Sequence, residues 1–302
     1  MNSIDPSRAH ISVLLEESIN HLNIQPRDIV VDGTFGGGGH SRAIIEQYPE
    51  VTLIAVDLDE AAKNRFEENF SGKSNIHFVQ ANFMDTEKIT EGAGVEMVDK
   101  VLLDLGTSTF QLLSDNRGFS FNSDTPLKMT FSESGSHTGF DAERIVNDWE
   151  ESSIADILYY YGEERKARKI AKAILEARKV NPIKTSGELA RIIESVVPRY
   201  GRIHPATKTF QALRIAVNDE LRVLETALNN WWEKLNNDGR IAVITFHSLE
   251  DRIVKKWMLG KDKKRVITKK PIAPSRKELQ ENPRSRSAKL RVIEKKAYDD
   301  ND

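Results

Sequence analysis

The sequence contains no cysteine, which excludes disulfides and any metal site built on thiolates. It has no apolar run approaching the ~18 residues of a membrane-spanning helix. Its first residues, Met-Asn-Ser-Ile-Asp-Pro-Ser-Arg, carry no apolar stretch of the signal-peptide kind. No internal repeat is visible. Nor is there a large net charge: 44 Lys and Arg stand against 46 Asp and Glu, a formal −2 over 302 residues. These absences point to a cytoplasmic globular chain, long enough for one large domain or two smaller ones. Hydrophobic residues make up 39% and charged residues 30%, which suits a packed core under a soluble surface.

The most informative stretch is Ile29-Val-Val-Asp32-Gly33-Thr-Phe-Gly36-Gly-Gly-Gly39-His40-Ser41. Ile29 to Val31 form a β-branched apolar run of the kind found in a buried strand. Five glycines in the seven positions 33–39 follow, and a helical pattern begins at Ser41. Strand, glycine loop and helix in succession present backbone N–H groups to a nucleotide-like ligand; a flexible surface turn is the plainer alternative. The next unit favours the ligand. Thr52-Leu-Ile-Ala-Val-Asp57-Leu-Asp59 reads as a second apolar strand ending in carboxylates, and a carboxylate there accepts hydrogen bonds from ribose hydroxyls. Nicotinamide dinucleotides and S-adenosylmethionine both fit. No register of G-x-G-x-x-G completes from Gly33, Gly36 or Gly37. That favours S-adenosylmethionine, which has no pyrophosphate to demand the spacing.

Along the chain the patterns predict a helix over 10–22, strand 29–33, helix 41–48, strand 51–57, helix 59–69 and strand 75–80. The loop after that strand carries Phe83, a candidate to stack on adenine, or else a core aromatic. Val98-Asp-Lys-Val-Leu-Leu-Asp104-Leu-Gly106 reads as a fourth strand. Asp32, Asp57 and Asp104 thus all fall at strand carboxyl ends, where open α/β sheets bind ligands, although a helix cap is open to any one of them. From Thr107 to Gly139 periodicity disappears, which suggests a functional loop. Helical patterns over 141–149, 152–161, 163–179 and 185–196 follow, the last opened by the capping box Thr185-Ser-Gly-Glu188. A long helix beginning at His204-Pro205-Ala206, with apolar positions 210, 213, 217, 221, 224 and 228, ends at a turn Asn236-Asn-Asp-Gly239. A strand then runs from Arg240 to His247, a plausible site residue, and into a further helix. Alternation predicts edge strands at 263–269 and 287–294. The expected division is 1–106 and 205–302 for an α/β domain, with 107–204 an inserted loop and helical domain.

Charge is uneven. From Lys255 to Lys296 there are sixteen Lys and Arg against four Asp and Glu, so the remainder carries a net −14. A basic tail on an acidic body points to a polyanionic partner; a solvated extension is the alternative. Arg165, Lys166, Arg168, Lys169 and Lys172 form a second basic stretch, open to RNA contact or to simple solvation.

With these residues in view, the sequence resembles the bacterial 16S ribosomal RNA cytosine-N4 methyltransferases, the RsmH or MraW family. The resemblance rests on His10-Ile-Ser-Val-Leu-Leu, Asp32-Gly-Thr-Phe-Gly with Gly38-Gly39-His40-Ser41, Asp104-Leu-Gly and Arg117-Gly-Phe-Ser-Phe121. It continues through Tyr161-Gly-Glu-Glu-Arg165, His204-Pro-Ala-Thr, Thr209-Phe-Gln-Ala-Leu-Arg214, Phe246-His-Ser-Leu-Glu-Asp-Arg252 and Asn282-Pro-Arg-Ser-Arg-Ser287, in the family's order. It implies a class I, Rossmann-like α/β methyltransferase fold with an inserted helical domain. The donor it implies is S-adenosyl-L-methionine; the acceptor is a decoding-centre cytidine of 16S rRNA in the small ribosomal subunit, with no DNA or membrane partner and no metal. It implies cofactor contacts at Gly38, Gly39, His40, Asp57, Phe83, Asp104 and Gln111, and Asp104 is also the candidate catalytic residue. The positions that depart from the family's usual pattern include Phe110 for proline, Lys128 for aspartate and Thr130 for arginine, all on the expected acceptor side. Two other functions compete: a methyltransferase of this fold acting on another RNA base or a protein amine, and a non-catalytic RNA-binding scaffold.

Overall fold

The structure is a computed structural model. It describes residues 11–106, 116–122, 124–132, 135–136, 138–199, 201, 203–261 and 265–296. The chain forms two compact units, Met1–Phe110 with Leu221–Asp302, and Gln111–Glu220. No helix among the described residues is long and apolar enough to cross a membrane.

The first unit is built on a six-stranded sheet in the order β3-β2-β1-β4-β5-β6. The strands are β1 (Ile29–Asp32), β2 (Thr52–Asp57), β3 (Ile76–Gln80), β4 (Val98–Asp104), β5 (Leu235–Thr245) and β6 (Lys289–Lys295). All neighbours are parallel except β5 and β6. Successive side chains on one strand enter opposite faces. Leu53 and Leu102 therefore pack with Leu22, Ile44 and Leu290 on one side. Ile54, Val101 and Leu103 pack with Leu228 and Trp231 on the other. Apolar layers on both faces explain why these strands read as continuous apolar runs. In this unit α1 (Leu15–Leu22), α2 (Gly39–Gln47), α3 (Glu60–Phe70) and α4 (Thr86–Ala93) precede or separate the first strands. The strand order reverses at β1, which has β2 on one side and β4 on the other. Asp32, Asp57 and Asp104 end those three strands.

The second unit holds α5 (Ala142–Asp148), α6 (Glu151–Tyr160), α7 (Ala167–Val180), α8 (Ser186–Val196) and α9 (Thr207–Asn218). Its core gathers Ile145, Ile154, Leu158, Ile170, Ile174, Leu189, Ile193 and Leu213. The capping box at Thr185 and Glu188 is present. In the described part of the aperiodic stretch, residues 116–132, backbone is tied by side chains. Arg117 Nη1 donates to the Phe131 carbonyl at 2.8 Å, and buried Asn218 donates to the Met129 carbonyl at 2.7 Å while accepting from the Phe131 amide at 2.9 Å.

Several expectations need correction. The helix expected from His10 begins at Leu15, after Leu14 in the left-handed region at φ +51°. The buried Leu14 amide donates instead to Glu278 Oε1 at 2.8 Å, and Asn282 Nδ2 donates to the Ile11 carbonyl at 3.0 Å. The long helix expected from 204 is two helices. Asp219, at φ +49°, separates α9 from α10 (Glu220–Lys234), because Asn218 turns its amide to the 129–131 backbone. The chain returns to the first unit at Leu221 rather than 205, so α9 packs in the helical unit. Helix α4 was not anticipated: it buries Thr86, Ile89 and Thr90, too few apolar side chains to show a stripe. The expected strand at 263–269 is, among the described residues, no strand; pairing with β6 is reduced to isolated bridges from Val266 to Ile293 and from Ile272 to Leu290, with Pro271, which has no N–H, between them. Beyond β5 lie α11 (Ser248–Lys261) and α12 (Arg276–Glu281).

Candidate active site

The first half of the glycine loop is pinned by the sheet. Gly33 donates to the Leu102 carbonyl and Phe35 to the Val56 carbonyl, both at 2.9 Å. Gly38, at φ +74°, turns the chain into α2, and a Cβ there would meet the Phe35 ring at 2.7 Å. A Cβ on Gly39 would lie 2.0 Å from Ser12 Oγ. Glycine is required at the first position by backbone conformation and at the second by close approach of the Ile11–Leu14 segment.

Asp57 closes the loop from the second strand. Its Oδ2 accepts the Gly36 amide at 2.8 Å and its Oδ1 accepts the Asp59 amide at 2.9 Å. Arg65 Nε donates to the Gly36 carbonyl at 3.0 Å. Burial pushes the Asp57 carboxyl up to about 6, against the lowering pull of the two amides. Each carboxylate oxygen has a second lone pair for a ligand hydroxyl.

Asp104, at the end of β4, faces His40 and two other acids. The amide of Asp104 donates to Thr34 Oγ1 at 2.7 Å. Its carboxyl is held well above the usual range, first by burial and then by Asp32 and Glu250. Oδ1 is buried with no hydrogen-bond partner among the described residues, and Oδ2 lies 3.8 Å from His40 Nδ1. His40 Nε2 is 3.2 Å from the Val13 carbonyl, which can only accept, so Nε2 carries the proton and Nδ1 a lone pair. Burial pushes the imidazole down to about 4. The pair is therefore a neutral imidazole beside a basic carboxyl group, not an ion pair. Asp32 is buried too, its carboxyl raised by burial and held by Ser41 Oγ at 2.6 Å.

These groups suit a nucleoside-bearing cofactor. The cradle has no room for side chains at Gly38 and Gly39, the Asp57 oxygens face the loop, and the Asp104 oxygen lacks a donor.

A family model described as the MraW methylase family matches residues 7–296. The chain belongs to the MraW methylase family. Its relatives include the ribosomal RNA small subunit methyltransferase H of Coprothermobacter proteolyticus, 45% identical over 289 residues that cover 95% of this chain and 96% of that protein. The protein of the same name from Nostoc punctiforme is 47% identical over 291 residues, 95% of this chain and 94% of the relative. Among solved structures, an rRNA methylase from Streptococcus thermophilus aligns with a TM-score of 0.46 at 14% identity, over 96% of this chain and all of the other.

The methylase's expected site residues divide by position. Gly38, Gly39, His40, Asp57 and Asp104 gather at the carboxyl ends of β1, β2 and β4. Phe83 is half-buried beside Gly33: its Cβ lies 3.4 Å from where a Cβ on Gly33 would stand, and its carbonyl accepts from Trp231 Nε1 at 2.8 Å. Gln111 and the Phe110 departure lie outside the described residues. His247 turns toward its own helix, its Nε2 3.1 Å from Glu250 Oε1.

Sequence reasoning missed Glu250. Its Oε2 accepts the Phe246 and His247 amides at 2.7 and 3.2 Å, and its charge bears on Asp104. The spacing His247-Ser-Leu-Glu250, like a capping box, was the available signal. It also missed Ser12 and Val13, which lie far from the glycine loop in sequence; their place in the motif His10-Ile-Ser-Val-Leu-Leu was the available signal.

Proposed function

We propose that this methylase transfers a methyl group from S-adenosylmethionine to the exocyclic N4 of a cytidine in small-subunit ribosomal RNA, with Asp104 orienting the amine. The observation that carries the reading is the buried Asp104 Oδ1, an acceptor with no partner among the described residues, at the sheet edge where the cofactor residues gather. Family membership and the names of the relatives support the methyl-transfer chemistry and the rRNA acceptor. The decoding-centre cytidine and the small subunit as substrate follow from the family resemblance; the cytoplasmic location rests on the composition and on the rRNA acceptor.

Gly38, Gly39 and His40 at the start of α2, with Asp57, Phe83, Asp104 and Gln111, would hold the cofactor, Asp57 taking the ribose hydroxyls. S-adenosylmethionine, when bound, supplies a methyl group activated by a sulfonium. The protein's work lies with the acceptor. The lone pair of the cytosine amine is delocalised into the ring and is a poor nucleophile. A carboxylate that accepts one N–H of that amine favours a pyramidal nitrogen and localises the pair. Burial, and then the charges of Asp32 and Glu250, make Asp104 a stronger acceptor than an ordinary carboxylate. Once the nitrogen is alkylated its proton leaves readily, so positioning is the main demand.

The test is Asp104→Ala in single-turnover methylation with saturating RNA and cofactor, beside a cofactor titration of the same variant. The expected rate loss is about 10²–10⁴, the range for a positioned acid–base group, with affinity falling less than about tenfold. Collapsed affinity with a normal saturated rate makes Asp104 a binding residue only. Digestion of the product to nucleosides separates N4-methylcytidine from a different methylated base or amine.

A further inference from the structure

We infer that the side chain of His40 is a positioning residue for the reaction, holding the Asp104 carboxyl ready to take the proton that leaves the acceptor amine, and that its part in cofactor binding is confined to its backbone. The inference rests on the assignment of Asp104 to the acceptor amine.

The geometry assigns each atom a task. His40 is 5% exposed and sits in the first turn of α2. Its ring turns inward. Nε2–H is committed to the Val13 carbonyl at 3.2 Å, so the lone pair of Nδ1 is directed at Asp104 Oδ2, 3.8 Å away. That ring can accept a hydrogen bond from a protonated Asp104 and cannot donate one to an ionised Asp104. A carboxyl shift of about 1 Å brings the pair within hydrogen-bond range.

The charged and titratable groups facing Asp104 are Asp32 from β1, Glu250 from α11 and His40 from α2. Asp32 and Glu250 oppose its ionised form by charge, and His40 stabilises its acid form by accepting the new O–H. The proton step balances within the site. The N4–H bond breaks, its electron pair stays on nitrogen, and the proton joins Asp104. The proton is taken at Oδ1, the oxygen without a partner among the described residues; rotation of the carboxyl about Cβ–Cγ turns that O–H to His40 Nδ1, while the imidazole keeps its own proton on Nε2 and remains neutral. A donor in place of Nδ1 would favour the ionised carboxylate instead and weaken it as a base.

The Val13 carbonyl is what sets this tautomer. Val13 lies in the segment anchored by Asn282 at Ile11 and by Glu278 at Leu14.

The experiment compares wild type with His40→Asn and His40→Gln in single-turnover methylation of rRNA across pH 5–9, with a cofactor titration of each. Expected is a fall of about tenfold in saturated rate near neutrality. The apparent pKa of the acid limb should move down by about half to one unit, the effect of one hydrogen bond on the acid form. Cofactor affinity should stay within about threefold, since the backbone at position 40 is retained. An unchanged profile with a normal rate overturns the inference. So does a uniform loss of rate at every pH with the limb unmoved, which is the mark of a packing defect. Collapse of cofactor affinity with a normal saturated rate returns the His40 side chain to cofactor binding and also overturns it. Failure of the parent assignment registers separately, as a normal saturated rate in Asp104→Ala.

Discussion

The Gly36 amide donates to Asp57 Oδ2 at 2.8 Å, so the carboxylate ending the second strand and the glycine loop after the first are one hydrogen-bonded unit. Loop and carboxylate are therefore coupled before any ligand arrives. Removing the carboxylate deprives a ligand of its ribose acceptor and also releases the Gly36 and Asp59 amides. Asp57→Ala is expected to weaken S-adenosylmethionine binding by roughly 1–3 kcal/mol, the range for charge-assisted hydrogen bonds, and Asp57→Asn, which keeps one acceptor, by less. Calorimetry on the folded variants checks this; unchanged affinity in Asp57→Ala removes the residue from the site.

The basic segment is less free than its composition suggests. Arg291 and Lys289 bond Asp251 at 2.6 and 3.0 Å, and Lys295 donates to the Trp232 and Leu235 carbonyls. These cations are built into the fold. Arg284 and Arg286 are exposed at 283–287, where the chain makes a short 3-10 turn before β6. Arg284→Gln with Arg286→Gln should flatten the salt dependence of rRNA binding by a slope of about 1–2, from lost counterion release, with cofactor affinity unchanged. Lys289→Gln should instead cost stability, by unpairing Asp251. An unaltered slope of log affinity against log salt in the arginine pair would show that they point away from the RNA.

His40 and Asp57 pull stability in opposite directions with pH. The imidazole is near 6.5 in the unfolded chain and about 4 when folded, so the unfolded state gains protons first and stability is lost as pH falls through that window. The Asp57 carboxyl goes from 3.8 to about 6, so the unfolded state ionises first and stability is lost as pH rises through that window. Each contribution amounts to about 3 kcal/mol by linkage, and the raised carboxyls of Asp32 and Asp104 add to the second. His40→Asn removes the first and leaves that of Asp57 in place. Relative to wild type it should gain up to about 3 kcal/mol on acidification from pH 7 to 4.5. Urea midpoints at the two pH values measure the difference, and identical pH dependence in both proteins would mean that the buried ring titrates normally.

The sheet and most of its site were legible in the residues because they follow from short-range rules. Runs of three or four apolar residues ending in Asp32, Asp57 and Asp104 mark β1, β2 and β4, and the glycines between 33 and 39 mark the turn that follows the first. The long helix was misjudged at Asp219, where an apolar stripe continues past a left-handed residue. Periodicity does not register that Asn218 is needed by the backbone of Met129 and Phe131, nearly ninety positions earlier.

By itself the sequence determined where the strand ends and the glycine turn fall: periodicity and glycine placement act within a few residues, and strand ends follow from them. Only the tertiary structure decided what those residues are chemically. The Val13 carbonyl chooses the His40 tautomer across 27 positions, and burial, with Asp32 and the distant Glu250 beside it, raises Asp104. Protonation depends on desolvation and on charges a few ångströms away, and both are set by which distant segments pack together rather than by neighbours in sequence.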